Sequence, residues 1–303
     1  MPPAVIVEDL TKSYGSVTAL AGVSFTVNEG EVLAILGPNG AGKTTAVEIL
    51  EGYRRADGGT ISVLGHDPSS GGREFRDRIG IVLQETGIEV VLTVREAIDI
   101  YARSYSRRLP TDDLINLVGL DGKADARIKT LSGGQKRRLD LALGLAGDPE
   151  LVFLDEPTTG FDPSARRRSW AMIEGLTELG KTILLTTHYL DEAQNLADRI
   201  IVLAGGSIVA EGTADTLGAG RATSTISFTA EGADGLPRLE GGPVMTGHTV
   251  TYGSTSVTAD LLALTSWATE RGVELGGLEV TRPSLEDVYL DIVGEAGNGG
   301  PAS

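Results

Sequence analysis

The sequence contains no cysteine and very little histidine. With no cysteine among its 303 residues, it can form neither disulfide bonds nor thiolate metal sites. Its three histidines, His66, His188 and His248, are too few for a histidine-rich metal centre. Any chemistry of this chain must therefore be carried mainly by other residue types.

Long hydrophobic runs are also absent. The apolar runs Val32–Leu36, Leu151–Leu154 and Ile183–Leu185 are far shorter than the roughly 18 residues that a membrane-spanning helix needs. The first residues lack the basic and apolar regions of a signal peptide. We therefore expect the chain to stay in the cytoplasm unless another polypeptide holds it at the membrane.

Basic residues are also fewer than acidic ones, with 26 Lys and Arg against 42 Asp and Glu. The formal net charge is −16 at pH 7, whereas proteins that bind nucleic acid or anionic lipid present clustered Lys and Arg. One basic stretch, Gln135–Arg138, could indicate nucleic-acid binding, but a solvated helix face is the better interpretation. We expect neither nucleic acid nor lipid to be a direct partner.

The pattern of apolar residues predicts an α/β protein. Val5–Val27 alternates apolar and polar residues as antiparallel strands do, with a turn at Tyr14–Ser16. Val32–Leu36 is a continuous apolar run, as expected for a central strand that is buried on both faces. Further strands are predicted at Ile79–Leu83, Leu151–Leu154, Thr182–Thr186, Ile200–Leu203 and Ser207–Ala210, and helices at Arg95–Arg108, Asp112–Val118, Ser132–Ala146, Ala165–Leu179 and Leu190–Ala197.

A change in composition near residue 217 predicts a domain boundary. The segment that follows is rich in Thr, Ser and Gly and contains no residue set that suggests chemistry. We predict a large domain over residues 1–218 and a small structural or regulatory domain over 219–303. The small domain should contain strands at Thr225–Thr229 and Thr249–Tyr252, a helix at Ala259–Arg271, a short helix at Leu285–Val293 and a disordered tail.

A glycine-rich segment follows the first central strand and fits the pattern of a phosphate-binding loop. Glycines let successive backbone N–H groups point at phosphate oxygens, and the helix that begins near Lys43 adds its positive end. Lys43 would reach the β- and γ-phosphates, while the Thr44 hydroxyl would bind Mg²⁺. An accidental glycine-rich turn is disfavoured by the position between strand and helix. The candidate nucleotide-binding residues are Gly37, Pro38, Asn39, Gly40, Ala41, Gly42, Lys43, Thr44 and Thr45.

Two carboxylates end the predicted strand at Leu151–Leu154. Asp155 would hold Mg²⁺, and Glu156 would act as general base on the water that attacks the γ-phosphate. A strand that simply ends in a charged turn is the alternative. The phosphate-binding loop in the same chain favours the catalytic interpretation, because ligands of open α/β sheets bind where the strands end.

The segment Leu131-Ser132-Gly133-Gly134-Gln135 carries a family resemblance. Ser132 suits a helix N-cap, so a well-capped helix would explain it alone. The order of all the motifs, however, resembles the ATP-binding cassette (ABC) family, over residues 4 to about 217. That resemblance implies a P-loop NTPase cassette: a mixed α/β sheet, an antiparallel β subdomain, and a helical subdomain at about residues 88–148. It also implies ATP and Mg²⁺ as cofactors and a homodimer, with each ATP held between one phosphate loop and the partner's Ser132, Gly133, Gly134 and Gln135.

Four further positions match the family pattern. Tyr14 would stack on adenine, although a lone turn tyrosine is common. Gln84 would contact Mg²⁺ and signal to the membrane part. Asp162 matches a loop that crosses the dimer interface, although the preceding Phe161 departs from the usual leucine. His188 would contact the γ-phosphate in the transition state, against the alternative of a structural histidine.

The branch of the family is indicated by three more segments. Thr93–Glu96, His188–Ala193 and Pro283–Leu290 are similar to ATPases of ABC-2-type exporters, including the daunorubicin-resistance type. The resemblance implies a motor subunit at the cytoplasmic face of the membrane, held there by a separate ABC-2-type permease in a groove of the helical region near Tyr101 and Tyr105. The exported substrate would be a drug, a lipid, or another hydrophobic or polymeric compound. The alternatives are an importer ATPase, or a non-transport ABC ATPase that acts on nucleic acid or ribosomes.

Overall fold

The computed structural model describes residues 3–82, 91–217, 224–230, 235–239, 242–281 and 289. It divides into two compact units, one within residues 1–214 and the other within residues 215–292. Within the described residues, no helix is both long and apolar enough to cross a membrane.

The described residues of the first unit form nine strands, which make up two sheets. In chain order the strands are β1 (Pro3–Tyr14), β2 (Val17–Asn28), β3 (Val32–Leu36), β4 (Gly58–Val63), β5 (Ile79–Val82), β6 (Leu151–Asp155), β7 (Thr182–Thr187), β8 (Arg199–Ala204) and β9 (Ser207–Gly212). The larger sheet has the order β5-β6-β7-β3-β8-β9. Its first five strands are parallel, and β9 closes one edge in antiparallel orientation.

Helices cover this sheet and form a separate region beside it. They are α1 (Lys43–Leu50), α2 (Gly72–Arg78), α3 (Val94–Ala102), α4 (Thr111–Leu117), α5 (Gly133–Leu145), α6 (Pro163–Glu178) and α7 (Leu190–Leu196), with a short α8 (Ala214–Leu217) at the boundary of the two units. Helices α3, α4 and α5 pack on one another and fall in the region for which a helical subdomain is predicted.

The smaller sheet, of order β2-β1-β4, is antiparallel throughout. Its apolar face packs on the larger sheet and on α1, so that Val5, Leu20, Leu33, Leu50 and Phe153 belong to one buried cluster. Strands β3 and β7 are buried along their whole length, as their continuous apolar sequences predict. The predicted α/β class, with a mixed sheet and an antiparallel subdomain, is confirmed.

The helix predicted at Arg95–Arg108 is too long. Helix α3 ends at Ala102 because the chain then turns toward the end of α5. There the Leu109 N–H donates to the Ala146 carbonyl over 3.1 Å. The Tyr105 ring lies against Gly147, where an added Cβ would come within 2.5 Å of the ring. These two contacts require a bend that a continuous helix could not make.

The second unit is a four-stranded antiparallel sheet with one helix packed on it. Its elements are β10 (Ser224–Thr229), β11 (Pro243–Thr246), β12 (Thr249–Ser254), α9 (Val257–Arg271) and β13 (Gly276–Thr281), with the sheet order β11-β12-β10-β13. Ile226, Phe228, Val250, Tyr252 and Leu264 form its core. The helix predicted at Leu285–Val293 and the Pro283–Leu290 segment lie outside the described residues, apart from Tyr289.

Candidate nucleotide site

Three neighbouring parallel strands end at one edge of the larger sheet. Leu36 at the end of β3 pairs with Thr187 of β7, and Asp155 at the end of β6 pairs with Thr186. The glycine-rich loop follows β3, Glu156 follows β6 and His188 follows β7. Because all three strands run in the same direction, residues that are far apart in sequence meet at this edge.

Two glycines of the loop are required by close backbone contacts. A Cβ added at Gly37 would lie 2.3 Å from the Leu203 carbonyl oxygen. Gly42 has φ +107°, and a Cβ there would lie 2.4 Å from the Ala19 carbonyl oxygen. The Ala41 N–H donates to the Pro38 carbonyl over 3.2 Å, which tightens the turn around Asn39 and Gly40. Helix α1 then begins at Lys43, so its free N–H groups lie at the end of the loop.

Lys43 is held inside this loop. Its side chain is 5% exposed, and its Nζ donates to the carbonyl oxygens of Gly37 at 2.8 Å and Pro38 at 3.2 Å. Burial lowers the pKa of Lys43, and the negative charges of Glu156 and Asp155 offset part of that shift. A buried ammonium group that is balanced by carboxylates is well suited to bind an anion.

Asp155 and Thr186 are joined across neighbouring strands. The Thr186 hydroxyl donates to Asp155 Oδ1 and accepts from the Glu156 N–H over 3.1 Å. This double contact fixes the Asp155 carboxylate at the end of β6. Thr44, the other predicted Mg²⁺ ligand, is exposed at the start of α1, and Thr45 beside it is half-buried.

The candidate ligands Thr44 and Asp155 suit an Mg²⁺ ion that is also bound by a nucleotide. They do not suit a site in which protein side chains supply every ligand. The described residues contain no group of three or more His, Asp or Glu side chains that could hold an ion alone. A hydroxyl and one carboxylate are the ligands expected where phosphate oxygens and water complete the shell of Mg²⁺. Gln84, which was predicted to contribute to this site, lies outside the described residues.

Glu156 lies at the centre of the cluster. Its backbone has φ +46°, an uncommon conformation for a residue other than glycine. Its Oε1 atom is 3.7 Å from Lys43 Nζ and 3.2 Å from His188 Nδ1, and Oε2 accepts from the Thr159 hydroxyl over 3.0 Å. The His188 contact lacks the alignment of a hydrogen bond.

The Glu156 carboxylate is kept ionised by its neighbours. Burial raises the pKa of Glu156, but His188, Thr159 and Lys43 together lower it more, so that the pKa lies below its ordinary value. The group is therefore a carboxylate at neutral pH, as a general base must be.

The Ser132 segment forms the beginning of α5. Ser132 and Gln135 make a capping box, in which Ser132 Oγ accepts from the Gln135 N–H at 3.3 Å and Gln135 Oε1 accepts from the Ser132 N–H at 2.9 Å. Among the described residues outside this stretch of α5 backbone, a Cβ added at Gly133 or Gly134 would meet no atom within 4 Å. These glycines are therefore not required by packing within the chain, and the start of α5 is open to an approaching group.

Ser132, Gly133 and Gly134 line a cleft of about 730 Å³ together with Glu156 and Asp162. Asp162 caps helix α6, since its Oδ1 accepts from the N–H groups of Ser164 and Ala165 at 2.9 Å. Hydrogen bonding to the Ala165 N–H, with that to Ser164, lowers the pKa of Asp162. None of the described residues of the phosphate-binding loop lines this cleft, so the predicted residues form two groups, one around the loop and one around Ser132, which share Glu156.

Tyr14 lies at the β1–β2 turn. It is 41% exposed, and its ring centre lies 5.6 Å from Lys12 Nζ and 5.3 Å from the Arg54 guanidinium carbon. A partly exposed aromatic ring is free to stack on a flat ligand.

A second cleft, of about 550 Å³, lies between the larger sheet and the helical region. Aromatic and arginine side chains line it: Tyr53, Phe75, Tyr101, Tyr105, Arg73 and Arg76. Tyr101 and Tyr105 were expected at such a groove from the sequence. Arg107, one of the arginines near them in sequence, is instead paired with Asp148 at 2.7 Å.

Residues 20–159 match the family described as ABC transporter, and residues 224–284 match the C-terminal domain of ABC transporter domain-containing protein-like sequences. A daunorubicin resistance ATP-binding protein of Streptomyces coeruleorubidus is 38% identical over 304 residues, which cover 96% of each chain. A Nod factor export ATP-binding protein of Rhizobium meliloti is 45% identical over 216 residues, 69% of this chain and 64% of that one.

Solved structures resemble the first unit. A subunit of a Clostridium perfringens ABC transporter complex superposes with a TM-score of 0.64 at 30% identity, covering 70% of this chain and 89% of that one. A dimeric ATP-binding cassette with bound ADP and phosphate gives a TM-score of 0.62 at 26% identity, covering 69% and 98%. The described fold is thus that of an ATP-binding cassette.

Proposed function

Since the chain belongs to the family of ABC transporter ATP-binding proteins, we propose that it is the ATP-hydrolysing motor subunit of an ABC-2-type exporter. Its relatives named for daunorubicin resistance and for Nod factor export support the exporter branch. The importer and non-transport alternatives gain no support from these relatives. A drug or another hydrophobic or polymeric compound would be the exported substrate, and the motor itself would not line its path.

The observation that carries this proposal is the meeting of Lys43, Asp155, Glu156 and His188 at the carboxyl edge of the sheet. Lys43 and the loop N–H groups would hold the β- and γ-phosphates of ATP. Mg²⁺ would be held by Asp155, Thr44 and Gln84. Its positive charge would stabilise the negative charge that develops on the phosphates during hydrolysis.

Proton transfer falls to Glu156 in this scheme. An ionised carboxylate beside the γ-phosphate position can accept a proton from the attacking water. His188, 3.2 Å from that carboxylate, would donate a hydrogen bond to the γ-phosphate as charge builds up on it. Tyr14 would stack on the adenine ring.

Dimerisation would complete the site. The open start of α5 presents backbone N–H groups and two glycines whose surroundings leave room for a ligand. A helix start of this kind binds anions well. We propose that Ser132, Gly133, Gly134 and Gln135 contact the γ-phosphate bound to a second copy, with Asp162 at the interface. Hydrolysis would then weaken the contact that holds the two copies together.

The cleft lined by Tyr53, Tyr101 and Tyr105 would receive the permease. Aromatic and arginine side chains are the usual anchors of protein interfaces, and Arg73 and Arg76 also line this cleft. The permease would hold the chain at the cytoplasmic face of the membrane, since the net charge of −16 disfavours direct binding to anionic lipid. Nucleic acid is not proposed as a partner for the same reason.

The catalytic assignment is tested by Glu156→Gln. Removing the base should lower ATP turnover by about 10²–10⁴-fold while ATP affinity stays near wild type, because Lys43 and the loop are unchanged. Phosphate release and equilibrium ATP binding are measured side by side. Near-normal turnover in this variant would remove Glu156 from the role of base.

Fractionation of cells tests the assignment to a transporter. Co-expression with an ABC-2-type permease should move the chain into the membrane fraction, and Tyr101→Asp should return it to the supernatant without loss of ATP binding. Membrane association in cells that lack any such permease would contradict the proposal.

A further inference from the structure

An aromatic and cationic stack lies behind His188, on the side of helix α6. The ring centres of His188 and Tyr189 are 4.1 Å apart with an interplanar angle of 39°. The Arg166 guanidinium carbon lies 4.2 Å from the Tyr189 ring centre, a cation–π distance. Arg166 on α6 therefore contacts Tyr189, and Tyr189 contacts the candidate catalytic histidine in the loop between β7 and α7. We call these three side chains the column.

The column is anchored at its far end by charge. Arg166 Nη1 donates to Asp191 Oδ2 over 2.8 Å, and the Arg166 side chain is only 20% exposed. Tyr189 is also fixed through its backbone, since its N–H donates to the Thr187 hydroxyl over 2.9 Å. Arg166 thus has both a stacking partner and an ionic partner on the segment that carries His188.

A second contact ties the same two elements together. Glu192 on α7 is fully buried, and its Oε1 atom accepts from the Thr158 hydroxyl at 2.7 Å and from Trp170 Nε1 at 3.3 Å. Trp170 lies one helical turn after Arg166 on α6, so both face α7. Helix α6 begins directly after Asp162, the residue proposed above to lie at the dimer interface.

We propose that Arg166 and Tyr189 are positioning residues that hold the His188 ring toward Glu156, and that through them helix α6 couples the Asp162 loop to the catalytic histidine. This inference rests on the proposed function of His188. Neither residue has a place in the catalytic scheme, and their effect on catalysis passes through the ring of His188. The backbone N–H of Arg166 donates to the Asp162 carbonyl over 3.0 Å, which joins Arg166 to the Asp162 loop.

Fixing the position of the His188 ring matters because a displaced catalytic group lowers the reaction rate. A shift of the order of 1 Å in a catalytic group can lower a rate by about 10²-fold. The His188 contact with Glu156 is not an aligned hydrogen bond that would orient the ring by itself. The flat Tyr189 ring behind it restricts the ring plane, and Arg166 keeps Tyr189 in place.

The test compares single and double variants of the full chain. Tyr189→Leu and Arg166→Met should each lower kcat for ATP about 10-fold or more, with KM for ATP within about twofold of wild type, because phosphate binding does not involve them. Tyr189→Phe keeps the ring and should restore most of the rate. Arg167→Met, a change on the exposed side of the same helix, is the matched control and should leave kcat unchanged.

The decisive comparison uses a His188→Ala background. If Tyr189 acts through His188, adding Tyr189→Leu to His188→Ala should lower the rate no further. The proposal would be overturned if the fold decreases in kcat of the two single variants multiplied in the double variant. Full activity of His188→Ala would also overturn it. The thermal unfolding midpoint of each variant, compared with that of wild type, shows whether a lower rate results from a less stable fold. Failure of the proposed function would be recognised by a different result, namely normal ATP turnover in the Glu156→Gln variant.

Discussion

At the scale of single residues, Glu51 at the end of helix α1 is a buried carboxyl group with a strongly raised pKa. It is 6% exposed and lines the cleft proposed for the permease. Burial, reinforced by the negative charges of Asp155 and Glu48, raises the pKa of Glu51 to about 8. The folded protein therefore keeps a proton on this group over a pH range in which the unfolded chain has lost it.

This shift predicts a definite dependence of stability on pH. Since the folded pKa is above the unfolded value of 4.5, the folded state binds more protons between these values, and its stability falls as pH rises through that window. Glu51→Gln removes the effect. Relative to wild type, its free energy of unfolding should rise by about 1–4 kcal/mol between about pH 5 and about pH 8.5.

Urea unfolding at the two pH values measures this difference. Glu178→Gln, at an exposed carboxyl group at the end of α6, is the matched control and should change stability equally at both values. An equal response of the Glu51 and Glu178 variants would show that Glu51 ionises in the folded protein as it does in the unfolded chain.

At the scale of elements, two helices begin with the same capping box but only one belongs to the proposed site. Thr93 and Glu96 cap α3 as Ser132 and Gln135 cap α5. Ser132→Ala and Thr93→Ala should each lower stability by about 1 kcal/mol. Only Ser132→Ala should also lower ATP turnover in the dimer, because only α5 is proposed to face nucleotide.

Thermal unfolding and phosphate release separate these two effects. Ser132→Thr keeps a capping hydroxyl and should preserve stability. Equal losses of turnover in the Ser132→Ala and Thr93→Ala variants would mean that the start of α5 has a structural role alone.

Elements with a strong apolar pattern could be predicted from sequence, and those with a weak one could not. Strands β3, β6 and β7 are continuous apolar runs that end at polar residues, so their positions and the site at their ends followed from the sequence. Strands β4 and β13 each begin with two glycines, which carry no alternation of apolar and polar side chains. Both were missed, as was α2, which begins at Gly72.

The site divides in the same way. Lys43, Asp155 and Glu156 lie in local motifs whose residue types indicate their chemistry. The contacts of Thr186 with Asp155, and of Arg166 with Tyr189, join residues that are distant in sequence. They depend on strand register and helix packing, which no local pattern in this sequence specifies.

At the scale of the whole molecule, the predicted site residues form two groups that the proposed dimer would bring together. One group surrounds the phosphate-binding loop and the other surrounds Ser132; the two share Glu156, and none of the described loop residues lines the Ser132 cleft. An ATP-binding cassette that resembles this chain is a dimer with bound ADP and phosphate. Two copies related by a two-fold axis would place the Ser132 segment of each copy against the phosphate-binding loop of the other, giving two equal sites.

The central claim is that two copies enclose ATP and that Glu156 allows them to separate. Light scattering with size exclusion on Glu156→Gln at saturating MgATP tests it most directly. The account predicts a species of twice the 31.6 kDa chain mass with MgATP, and a monomer without nucleotide or after Ser132→Arg is added. A monomer at saturating MgATP, in a variant that binding measurements show to hold ATP, would contradict it.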